Sequence, residues 1–495
     1  MPKKATSFEL MLPQRDSKTP AYRWLYGAIG GEILDGRLHP GTRLPATRDL
    51  AERYGLSRGT IVSAFEQLKS EGYVQGSVGS GTYVSKVLPD QLLQVTHKVG
   101  AQPTPPRKQR RKISDYGKRV ELFPSYAIRT SRAFRANLPA LELFPANLWA
   151  QIAARRFRRA SASFLLGCEP LGYYPLREAV ADYLGTSRGV NCVPEQIAIV
   201  SGVQEALDLT ARLFLNSGDR VCMENPGFPG AAMAFEAAGA HVSAVRVDDE
   251  GMELPGAGSR GARLVYITPG HQFPLGITMS LTRRLELLKW ARNYRAIIFE
   301  DDYDSEFRYS GRPVPALQGL DRNGIVLFAG SFSKVLFPSL RLGYLVIPAD
   351  LVNLFSAMIS LTTRHAELPE QAVLCDFISE GHFGRHLRRM REVYAERLSV
   401  LLESAGEKLA GLLEISEIEA GLQTVGWLCK GIDGETATRA AAVRDVEIFP
   451  LSRYNRGRVA REGLQLGFAA VDEREIRRGV HELAIAFEEE LRRKS

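Results

Sequence analysis

Hydrophobic residues follow different patterns in the two parts of the chain. In residues 1–85, which we call the head, they recur at helical spacing and end in the pattern of a β-hairpin. In residues 121–495, which we call the body, short apolar runs alternate with helical patterns. This alternation predicts an α/β fold with a mainly parallel, doubly wound sheet and a small C-terminal α+β lobe. The predicted strands are IAIV, RVCM, AHVSAVRV, RLVYIT, AIIFE, IVLFA and GYLVIP.

Residues 86–120 separate the head from the body and show neither pattern. Prolines and a dense run of Lys and Arg interrupt every hydrophobic period there. The composition predicts an extended linker, partly of polyproline II character. Its positive charges either contact DNA phosphates or belong to a simple solvated tether.

Length, charge and cysteine usage narrow the class of protein. A chain of 495 residues is too long for one hydrophobic core, so two or three domains are expected. A net charge of +8 favours a nucleic-acid or phosphate partner, although an ordinary basic enzyme can carry the same charge. The five scattered cysteines indicate reduced thiols rather than disulfides or zinc. No signal-peptide core is visible, and no apolar run approaches the roughly 20 residues of a membrane span, so we expect a cytoplasmic protein.

The middle of the head predicts two helices joined by a tight turn. A short helix over 46–54 ends at Gly55, and Ser57 can cap a second helix from Arg58 to about Ser70. The second helix has one apolar face and one polar face, which is the geometry of a helix-turn-helix whose second helix enters a major groove. The segment GYVQGSVGSGTYV then predicts two strands around a glycine-rich tip, a wing beside the helices.

The motifs LPATRDLA, LSRGTI and GSGTYV, in this order and spacing, resemble the winged helix-turn-helix of the GntR class. The resemblance covers about residues 20–85 and implies binding to double-stranded DNA. The alternative is that Arg48 and Arg58 are merely exposed helix charges. The residues that the resemblance assigns to DNA contact are Arg43, Arg48, Ser57, Arg58, Thr60 and Gly81.

In the body, polar and aromatic residues follow the predicted strands. Ligands of open α/β sheets bind beyond the carboxyl ends of the strands, so these residues are expected to meet in one pocket. The segment SGVQ, 201–204, begins a helix, and the free amides of a helix N-terminus bind anions such as phosphate. Ser331, Ser333 and Arg341 add hydrogen-bond donors for the same anion.

Four further residues indicate what carries that phosphate. Asp301 ends a buried strand, where a positively charged ring nitrogen would satisfy its carboxylate. Phe228 offers a flat face to a ring, and Tyr303 offers a phenol to a ring oxygen. Lys334, partly desolvated, is expected to have a lowered pKa and to be nucleophilic. A lysine that forms a Schiff base, a carboxylate under a pyridinium ring and a phosphate site together describe pyridoxal 5'-phosphate.

The motifs SGVQEALDL, ENPGF, EDDYDSEF and SFSK, with an arginine seven residues after the lysine, resemble the fold-type I aminotransferases over about 121–495. The resemblance implies that Lys334 is the catalytic Schiff-base lysine and that Asp301 is the partner of the pyridine nitrogen. It also implies that Tyr303 binds the ring oxygen and that Phe228 stacks on the ring. Taken singly, each could be a surface charge, a cap or a turn residue. The residues implied for the phosphate are Val203, Gln204, Ser331, Ser333 and Arg341.

Two departures from the aminotransferase pattern argue against efficient transamination. FPLG, at 273–276, stands where the family carries Asn-Pro-Thr-Gly, and His271 and Gln272 are either substitutes for the asparagine or turn residues. Gln465 stands where the family carries an arginine that binds the substrate carboxylate. Arg453, nearby in the sequence, either binds the carboxylate of an effector instead or is a surface arginine.

The combination of a GntR-type head and an aminotransferase-like body resembles the MocR (GabR-like) subfamily of bacterial transcription regulators. That resemblance implies a homodimer, typically head-to-tail, in which Tyr173 or Tyr174 either reaches the cofactor of the neighbouring subunit or packs in the core. His382 and His386, one helical turn apart, have a zinc-like spacing but lack an evident third ligand, so no metal site is expected.

The predicted function is that of a pyridoxal-phosphate-dependent DNA-binding regulator. It would sense an amino acid, an amine or pyridoxal phosphate itself through an aldimine at Lys334. Two alternatives stay open. One is an active aminotransferase with an autoregulatory DNA-binding head, and the weaker one is a binding module whose pocket no longer holds a cofactor.

Overall fold

The computed structural model divides the chain into two compact units, with the boundary between Arg111 and Lys112. The first unit contains the head and the second contains the body. Among the residues that the structure describes, no helix is long and apolar enough to cross a membrane. The described residues are 12, 19–77, 81–86, 111–125, 130–256, 261–311, 314–416, 418–429, 431–457 and 461–494.

The first unit consists of three helices and a two-stranded wing. Buried apolar side chains from all three helices, such as Leu25, Leu50 and Ile61, form its core. The strands of the wing pair antiparallel, and its tip at 78–80 lies outside the described residues. The elements are α1 (Ala21–Leu34), α2 (Thr47–Tyr54), α3 (Arg58–Ser70), β1 (Val74–Ser77) and β2 (Gly81–Val84).

The turn between α2 and α3 has the predicted caps. Gly55 has the left-handed backbone conformation, with φ of 62°, that commonly closes a helix. The Ser57 Oγ atom accepts a hydrogen bond from the Thr60 N–H at 3.1 Å and so caps α3. The predicted helix-turn-helix and the predicted wing are confirmed.

An eight-stranded sheet forms the centre of the body. Its strand order is β3-β10-β9-β8-β7-β4-β5-β6, and β4, β5, β7, β8 and β9 run parallel to their neighbours within that group. All seven predicted strands are present. The strands are β3 (Ile197–Val200), β4 (Arg220–Asn225), β5 (His241–Asp248), β6 (Gly251–Met252), β7 (Ala262–Ile267), β8 (Ile297–Asp302), β9 (Val326–Ser331) and β10 (Gly343–Val346).

One predicted strand, GYLVIP, departs from the parallel arrangement. It forms β10, which pairs antiparallel with both β3 and β9. Only residues 332–342 connect β9 to β10. Because a parallel crossover needs about a dozen residues or more, usually with a helix of full length, so short a connection returns the chain in the opposite direction.

Helices cover both faces of this sheet, and the large apolar side chains between the layers form separate buried clusters on the two sides. The helices of the body are α4 (Asp115–Val120), α5 (Ala146–Arg158), α6 (Ala162–Leu166), α7 (Tyr174–Arg188), α8 (Val203–Phe214), α9 (Pro229–Ala237), α10 (Leu281–Tyr294), α11 (Leu317–Leu320), α12 (Phe332–Val335), α13 (Val352–Thr362), α14 (Leu368–Ser379), α15 (His382–Lys408), α16 (Gly434–Val443) and α17 (Glu473–Lys494).

The C-terminal lobe has the predicted α+β composition. A four-stranded antiparallel sheet, in the order β11-β12-β14-β13, packs with α15, α16 and α17. Its strands are β11 (Leu413–Ile415), β12 (Gln423–Leu428), β13 (Phe449–Pro450) and β14 (Gly463–Gly467).

The predicted linker, 86–120, ends in helical structure. Its last six residues form α4, which Ser114 caps and which packs on the body: Arg119 Nε donates to the Ala237 carbonyl at 2.9 Å. The sequence prediction missed this helix because the basic charges of the segment obscured the cap and the short amphipathic turn that follows it. The proline-rich part, 87–110, lies outside the described residues.

Candidate functional site

The carboxyl ends of the parallel strands carry the polar residues that the sequence analysis singled out. Asp301 lies in β8 opposite Ala329 of β9, and Ser331 ends β9 opposite Gly343 of β10. Parallel neighbours end at one edge of a sheet, and Lys334 follows β9 directly on α12. The residues from β8 and β9 therefore meet beyond that edge.

Asp301 is buried and only half satisfied. Its Oδ2 atom accepts a hydrogen bond from the Tyr266 hydroxyl at 2.8 Å, whereas its Oδ1 atom is buried without a partner among the described residues. Burial raises the pKa of Asp301 to about 7, against the opposing effects of Tyr266 and Lys334. A buried carboxylate oxygen of this kind needs a positively charged hydrogen-bond donor. A protonated ring nitrogen has that chemistry.

Lys334 is half-buried and lies close enough to Asp301 for their charges to interact. Its Nζ atom donates to the Asn137 carbonyl at 3.0 Å. Burial lowers the pKa of Lys334 to about 8, although the charges of Asp304 and Asp301 act in the opposite direction. A larger fraction of this amine is therefore neutral, and nucleophilic, at physiological pH than of an ordinary lysine.

The start of α8 and Arg341 lie together in an arrangement that suits an anion. Gly202 precedes α8 with φ of 127°, and a β-carbon at Gly202 would lie 3.7 Å from Arg341 Nη1. The guanidinium group thus lies over the first turn of α8, where the N–H groups of Val203 and Gln204 lack partners within the helix. Among the described residues, no carboxylate pairs with Arg341.

The other predicted phosphate ligands differ in whether their side chains already form hydrogen bonds within the protein. Ser331 is half-buried at the end of β9. Ser333 is buried, and its Oγ atom faces the Leu342 carbonyl at 3.5 Å. The Gln204 side chain donates to the Gly230 carbonyl at 2.9 Å. Gln204 consequently has only its backbone N–H for an anion, whereas Ser331 retains its hydroxyl.

Aromatic side chains pack edge to face beside these groups. The ring centroid of Phe273 lies 5.7 Å from that of Phe228, 5.9 Å from that of Tyr303 and 5.1 Å from that of Tyr454. Phe228 is half-buried, and burial raises the pKa of the Tyr303 hydroxyl well above its ordinary value. Tyr303 is therefore a neutral hydrogen-bond donor at physiological pH.

The structure separates the roles of His271 and Gln272. Nδ1 of His271 lies 2.9 Å from Asp304 Oδ1 and 3.0 Å from the Tyr303 hydroxyl. Gln272 instead donates to the carbonyls of Pro226 and Phe273 at 2.8 and 2.7 Å. His271 thus lies in the site, and Gln272 has the turn role.

Arg453 is exposed, and its guanidinium carbon lies 5.1 Å from the centroid of the Phe449 ring. Its neighbour Tyr454 is the residue that reaches the aromatic cluster, and the Tyr454 hydroxyl donates to Gln465 Oε1 at 2.6 Å. The Arg453 guanidinium group thus makes a cation–π contact with Phe449. An effector-binding role for Arg453 stays a prediction.

Sequence reasoning missed four residues of this site: Tyr266, Asn137, Asp304 and Gln423. Tyr266 lies on β7 and faces Asp301 because β7 and β8 are paired neighbours, a relation that could have been found by aligning the two predicted strands. Asn137 had no such signal, because it lies in an irregular segment with φ of 63°.

The predicted DNA contacts of the head lie on its surface. Arg43, Arg48 and Arg58 are exposed, and among the described residues no carboxylate pairs with any of them. Arg43 bridges to Tyr83 of the wing, and a β-carbon at Gly81, where φ is 114°, would lie 2.9 Å from Arg43 Nε. Glycine at position 81 thus allows Arg43 to pack against the wing.

The histidine pair and the tyrosine pair have ordinary partners. His386 Nε2 lies 3.3 Å from the buried Val335 carbonyl, whereas His382 contacts Glu380 and Arg385 at the surface. No cluster of three potential metal ligands is found in the described part of the chain. The Tyr174 hydroxyl donates to Glu195 at 3.0 Å, and the Tyr173 N–H donates to Gln371 at 2.7 Å.

The fold and the site define a protein with a winged-helix head and an aminotransferase-type body. Residues 141–431 match the family described as aminotransferase class I and II. Residues 21–84 match the bacterial regulatory proteins of the gntR family.

Relatives and solved structures agree with both matches. The chain is 40% identical to the probable rhizopine catabolism regulatory protein MocR of Rhizobium meliloti, over 97% of this chain and 96% of that protein. It is 35% identical to the uncharacterized HTH-type transcriptional regulator YhdI of Bacillus subtilis, over 96% of this chain and 97% of that protein. The crystal structure of the Pyrococcus horikoshii kynurenine aminotransferase in complex with PMP has a TM-score of 0.67 and 30% identity, over 77% of this chain and 96% of that one. The chain therefore belongs to the MocR-type family, in which a GntR-type DNA-binding domain is joined to an aminotransferase class I and II domain.

Proposed function

We propose that this protein is a transcription regulator whose body holds pyridoxal 5'-phosphate and senses a small amine or amino acid. The observation that carries the proposal is the buried, unpartnered Oδ1 atom of Asp301, in a site where burial also lowers the pKa of Lys334 to about 8. No ordinary structural role explains this pair of residues at the carboxyl end of a sheet. We expect the protein to act in the cytoplasm, where its DNA is.

The residues present fit the cofactor. Asp301 would bind the ring nitrogen, Lys334 would attach covalently, Tyr303 would donate to the ring oxygen and Phe228 would pack on the ring. The bound cofactor supplies an electrophilic carbon conjugated to an electron-withdrawing ring. The groups that bind its phosphate are Arg341, the Ser331 and Ser333 hydroxyls, and the N–H groups of Val203 and Gln204.

Sensing depends on the release of Lys334. An effector amine that takes its place leaves the Nζ atom free to change its contact with Asn137. If effector contacts differ between two conformations of the body, the effector shifts the population between them. A coupling of about 1–3 kcal/mol changes DNA affinity about 5- to 150-fold.

A homodimer, arranged head-to-tail, is part of the proposal. Leu165 and Leu166 of α6 are 70% and 88% exposed. Beside them, Phe164 of α6 packs against Phe157 of α5. An exposed apolar cluster of this kind is typical of an interface between subunits. Tyr173 and Tyr174 each have a polar partner in their own chain, Arg156 and Glu195 respectively, so these contacts favour neither tyrosine as the one that reaches the neighbouring cofactor.

The first experiment follows the visible absorption of the purified protein and its DNA affinity together. A panel of amines and amino acids is added to wild type, to Lys334→Ala and to Lys289→Ala, a control at an exposed lysine. We expect a stable absorption change with one effector class, accompanied by a change in DNA affinity, in wild type and the control only. DNA affinity that stays constant while the absorption changes would contradict the regulatory role.

An active aminotransferase with an autoregulatory head is the second candidate, and the complete set of Lys334, Asp301 and Tyr303 favours it. Absorption that cycles while a 2-oxo acid accumulates would support this alternative. A change in DNA affinity with pyridoxal phosphate alone would identify the cofactor itself as the effector.

A further inference from the structure

Two buried glutamines beside the cofactor site have amide groups without partners. Gln423 on β12 is 1% exposed and Gln465 on β14 is fully buried. In the described part of the chain, the Nε2 atom of each lacks an acceptor with hydrogen-bond geometry, although the Gln423 side chain lies close enough to the Tyr303 hydroxyl to interact with it. Buried donors are nearly always satisfied in folded proteins, so two of them in one place indicate a ligand or a water that completes them.

Both amide oxygens are occupied, and for Gln423 the partner also determines which end of the amide is free. Gln423 Oε1 accepts from the Asn137 N–H at 3.0 Å, and Gln465 Oε1 accepts from the Tyr454 hydroxyl at 2.6 Å. Because a backbone N–H can only donate, the Gln423 amide cannot be reversed. Its NH2 group is the end that remains free.

The pairing of β12 with β14 places the two side chains on one face. Gln423 lies opposite Gly467 and Gln465 lies opposite Val425, so the two glutamines are diagonal neighbours. Diagonal neighbours on antiparallel strands lie about 7–8 Å apart. One small ligand can contact both amides at that separation.

Contacts connect this face to the reactive centre on both sides. Asn137, which donates to Gln423, accepts from Lys334 Nζ through its carbonyl at 3.0 Å. Tyr454, which donates to Gln465, packs on Phe273, and Phe273 packs on Tyr303. A ligand whose amine reaches the position of Lys334 would extend its other end towards the two glutamines.

We propose that Gln423 and Gln465 recognise the effector and select an amine that carries a neutral hydrogen-bond acceptor, such as a hydroxyl group, in preference to a carboxylate. This inference rests on the function proposed above and specifies its effector class. The amides donate hydrogen bonds but bring no positive charge to this buried place. A carboxylate there would lose its hydration without gaining an ion pair.

The charges around the site agree with this preference. The carboxyl group of Asp304 acts on Lys334 and makes the site less favourable for a further anion, whereas the charge of Asp301 is balanced by the ring nitrogen in the cofactor-loaded protein. Arg135 is the cation that also acts on Lys334, and its guanidinium group donates to the Thr130 carbonyl at 2.7 Å. Arg453 is exposed and lies on the Phe449 ring.

The test compares matched pairs of probes on the cofactor-loaded, full-length protein. The pairs are 2-aminopropan-1-ol with alanine, and serinol with serine. Affinity is measured by the shift in cofactor absorption and independently by calorimetry. We expect wild type to bind the amino alcohol at least about tenfold more tightly than the amino acid, as a charged group without a counter-charge predicts.

Two substitutions and a control sharpen the result. Gln465→Met has a similar length but no donor and should weaken amino alcohol binding about tenfold. Gln465→Arg should reverse the preference. Gln318→Met removes a glutamine that bonds to Asn191 outside the site and should change neither affinity.

Three outcomes would overturn the proposal. These are a wild type that prefers the amino acids, a wild type that holds its cofactor but binds neither member of any pair, and a folded Gln465→Met with unchanged affinities, which would mean that water satisfies the amide. The wild-type preference decides the matter even if a variant fails to fold. Failure to hold the cofactor at all would contradict the function proposed above and not the choice of effector class.

Discussion

The head and the body place their functional groups in opposite environments. In the head, Arg48 and Arg58 extend into water, and in the described part of the chain no carboxylate pairs with them. In the body, Asp301 is buried and Lys334 is half-buried, and desolvation shifts the pKa of both. The free groups of the head lie outside its core, whereas those of the body lie inside.

This difference in burial corresponds to the two kinds of ligand that are proposed, DNA for the head and a small cofactor for the body. DNA is a polyanion too large to enter a domain, so cations that contact it remain hydrated until it arrives. A cofactor is small enough to be enclosed, and it can complete buried groups that water cannot reach. Exposed unpaired cations and buried unpaired polar atoms are thus two signs of a missing partner, and only the second is costly to the free protein.

The largest effects are expected from two neighbouring carboxylates on β8, Asp301 and Asp302. Comparing them tests whether an unpaired buried carboxylate serves a ligand and a paired one serves stability. Asp301 has a free oxygen, whereas Asp302 forms an ion pair with Arg188 at 2.6 Å between two buried side chains. Asp301→Asn should reduce cofactor affinity by roughly two orders of magnitude, because it removes one member of a buried charge pair worth about 3 kcal/mol. We expect Asp302→Asn to lower the free energy of unfolding by about 3 kcal/mol instead.

Cofactor titration by absorption and urea unfolding of the cofactor-free proteins measure the two effects separately. If both variants lost stability and both held the cofactor normally, the free Oδ1 atom of Asp301 would have no functional meaning. Wild-type protein, measured in the same two assays, provides the reference.

Features that depend on residues close together in the sequence could be predicted from the sequence alone. Both helices of the helix-turn-helix were predicted to within a residue, because Gly55 and Ser57 act on the residues next to them. The closeness of Arg341 to the start of α8 was expected from segments that lie next to strands. In all these cases the signal lies within a few residues of the structure that it determines.

Contacts between distant segments could not be read in the same way. The sequence contains no sign that Asn137 lies between Lys334 and Gln423, because these residues come from three separate segments. The antiparallel direction of β10 depends on the length of a connection and not on the pattern of the strand. Register and chain direction are decided by packing over the whole body, which a local pattern does not contain.

The pH dependence of cofactor attachment tests whether Lys334 is as buried as the structure indicates. The neutral amine is the nucleophile, so attachment accelerates as pH rises and levels off above the pKa. With a pKa of about 8, the rate constant should rise about tenfold between pH 7 and pH 9 and then flatten. An exposed lysine, with its pKa near 10.5, would instead give an increase of about 100-fold with no plateau.

Stopped-flow absorption of cofactor-free protein mixed with pyridoxal phosphate gives these rate constants. Free Nα-acetyl-lysine, measured in the same buffers, corrects for titration of the cofactor itself. A profile that keeps rising in parallel with that of the free amine would show that Lys334 is hydrated before the cofactor binds.

The exposed arginines of the head allow a test of whether unpaired surface cations there contact DNA. Arg58→Ala removes a cation at the start of α3 and should weaken DNA binding about tenfold, with the slope of log affinity against log salt reduced by about one. Arg37→Ala is the matched control, because Arg37 is also exposed but pairs with Glu32 and Asp35. Fluorescence anisotropy over a range of salt concentrations distinguishes the two, and equal effects would mean that Arg58 contributes only net charge.

The exposed side chain of Ser57 caps a helix and is also a predicted DNA contact. Its substitution gives the smallest expected effect. Its Oγ atom caps α3 through the Thr60 N–H, so Ser57→Ala should lower the free energy of unfolding of the head by about 1 kcal/mol. Ser57→Asp keeps a capping oxygen and adds a negative charge at a helix N-terminus, so it should leave stability unchanged or slightly higher. If Ser57 also contacts a phosphate, the same change should weaken DNA binding more than Ser57→Ala does. Thermal unfolding and anisotropy on the two variants separate cap from contact: equal DNA affinities for both would restrict Ser57 to the cap.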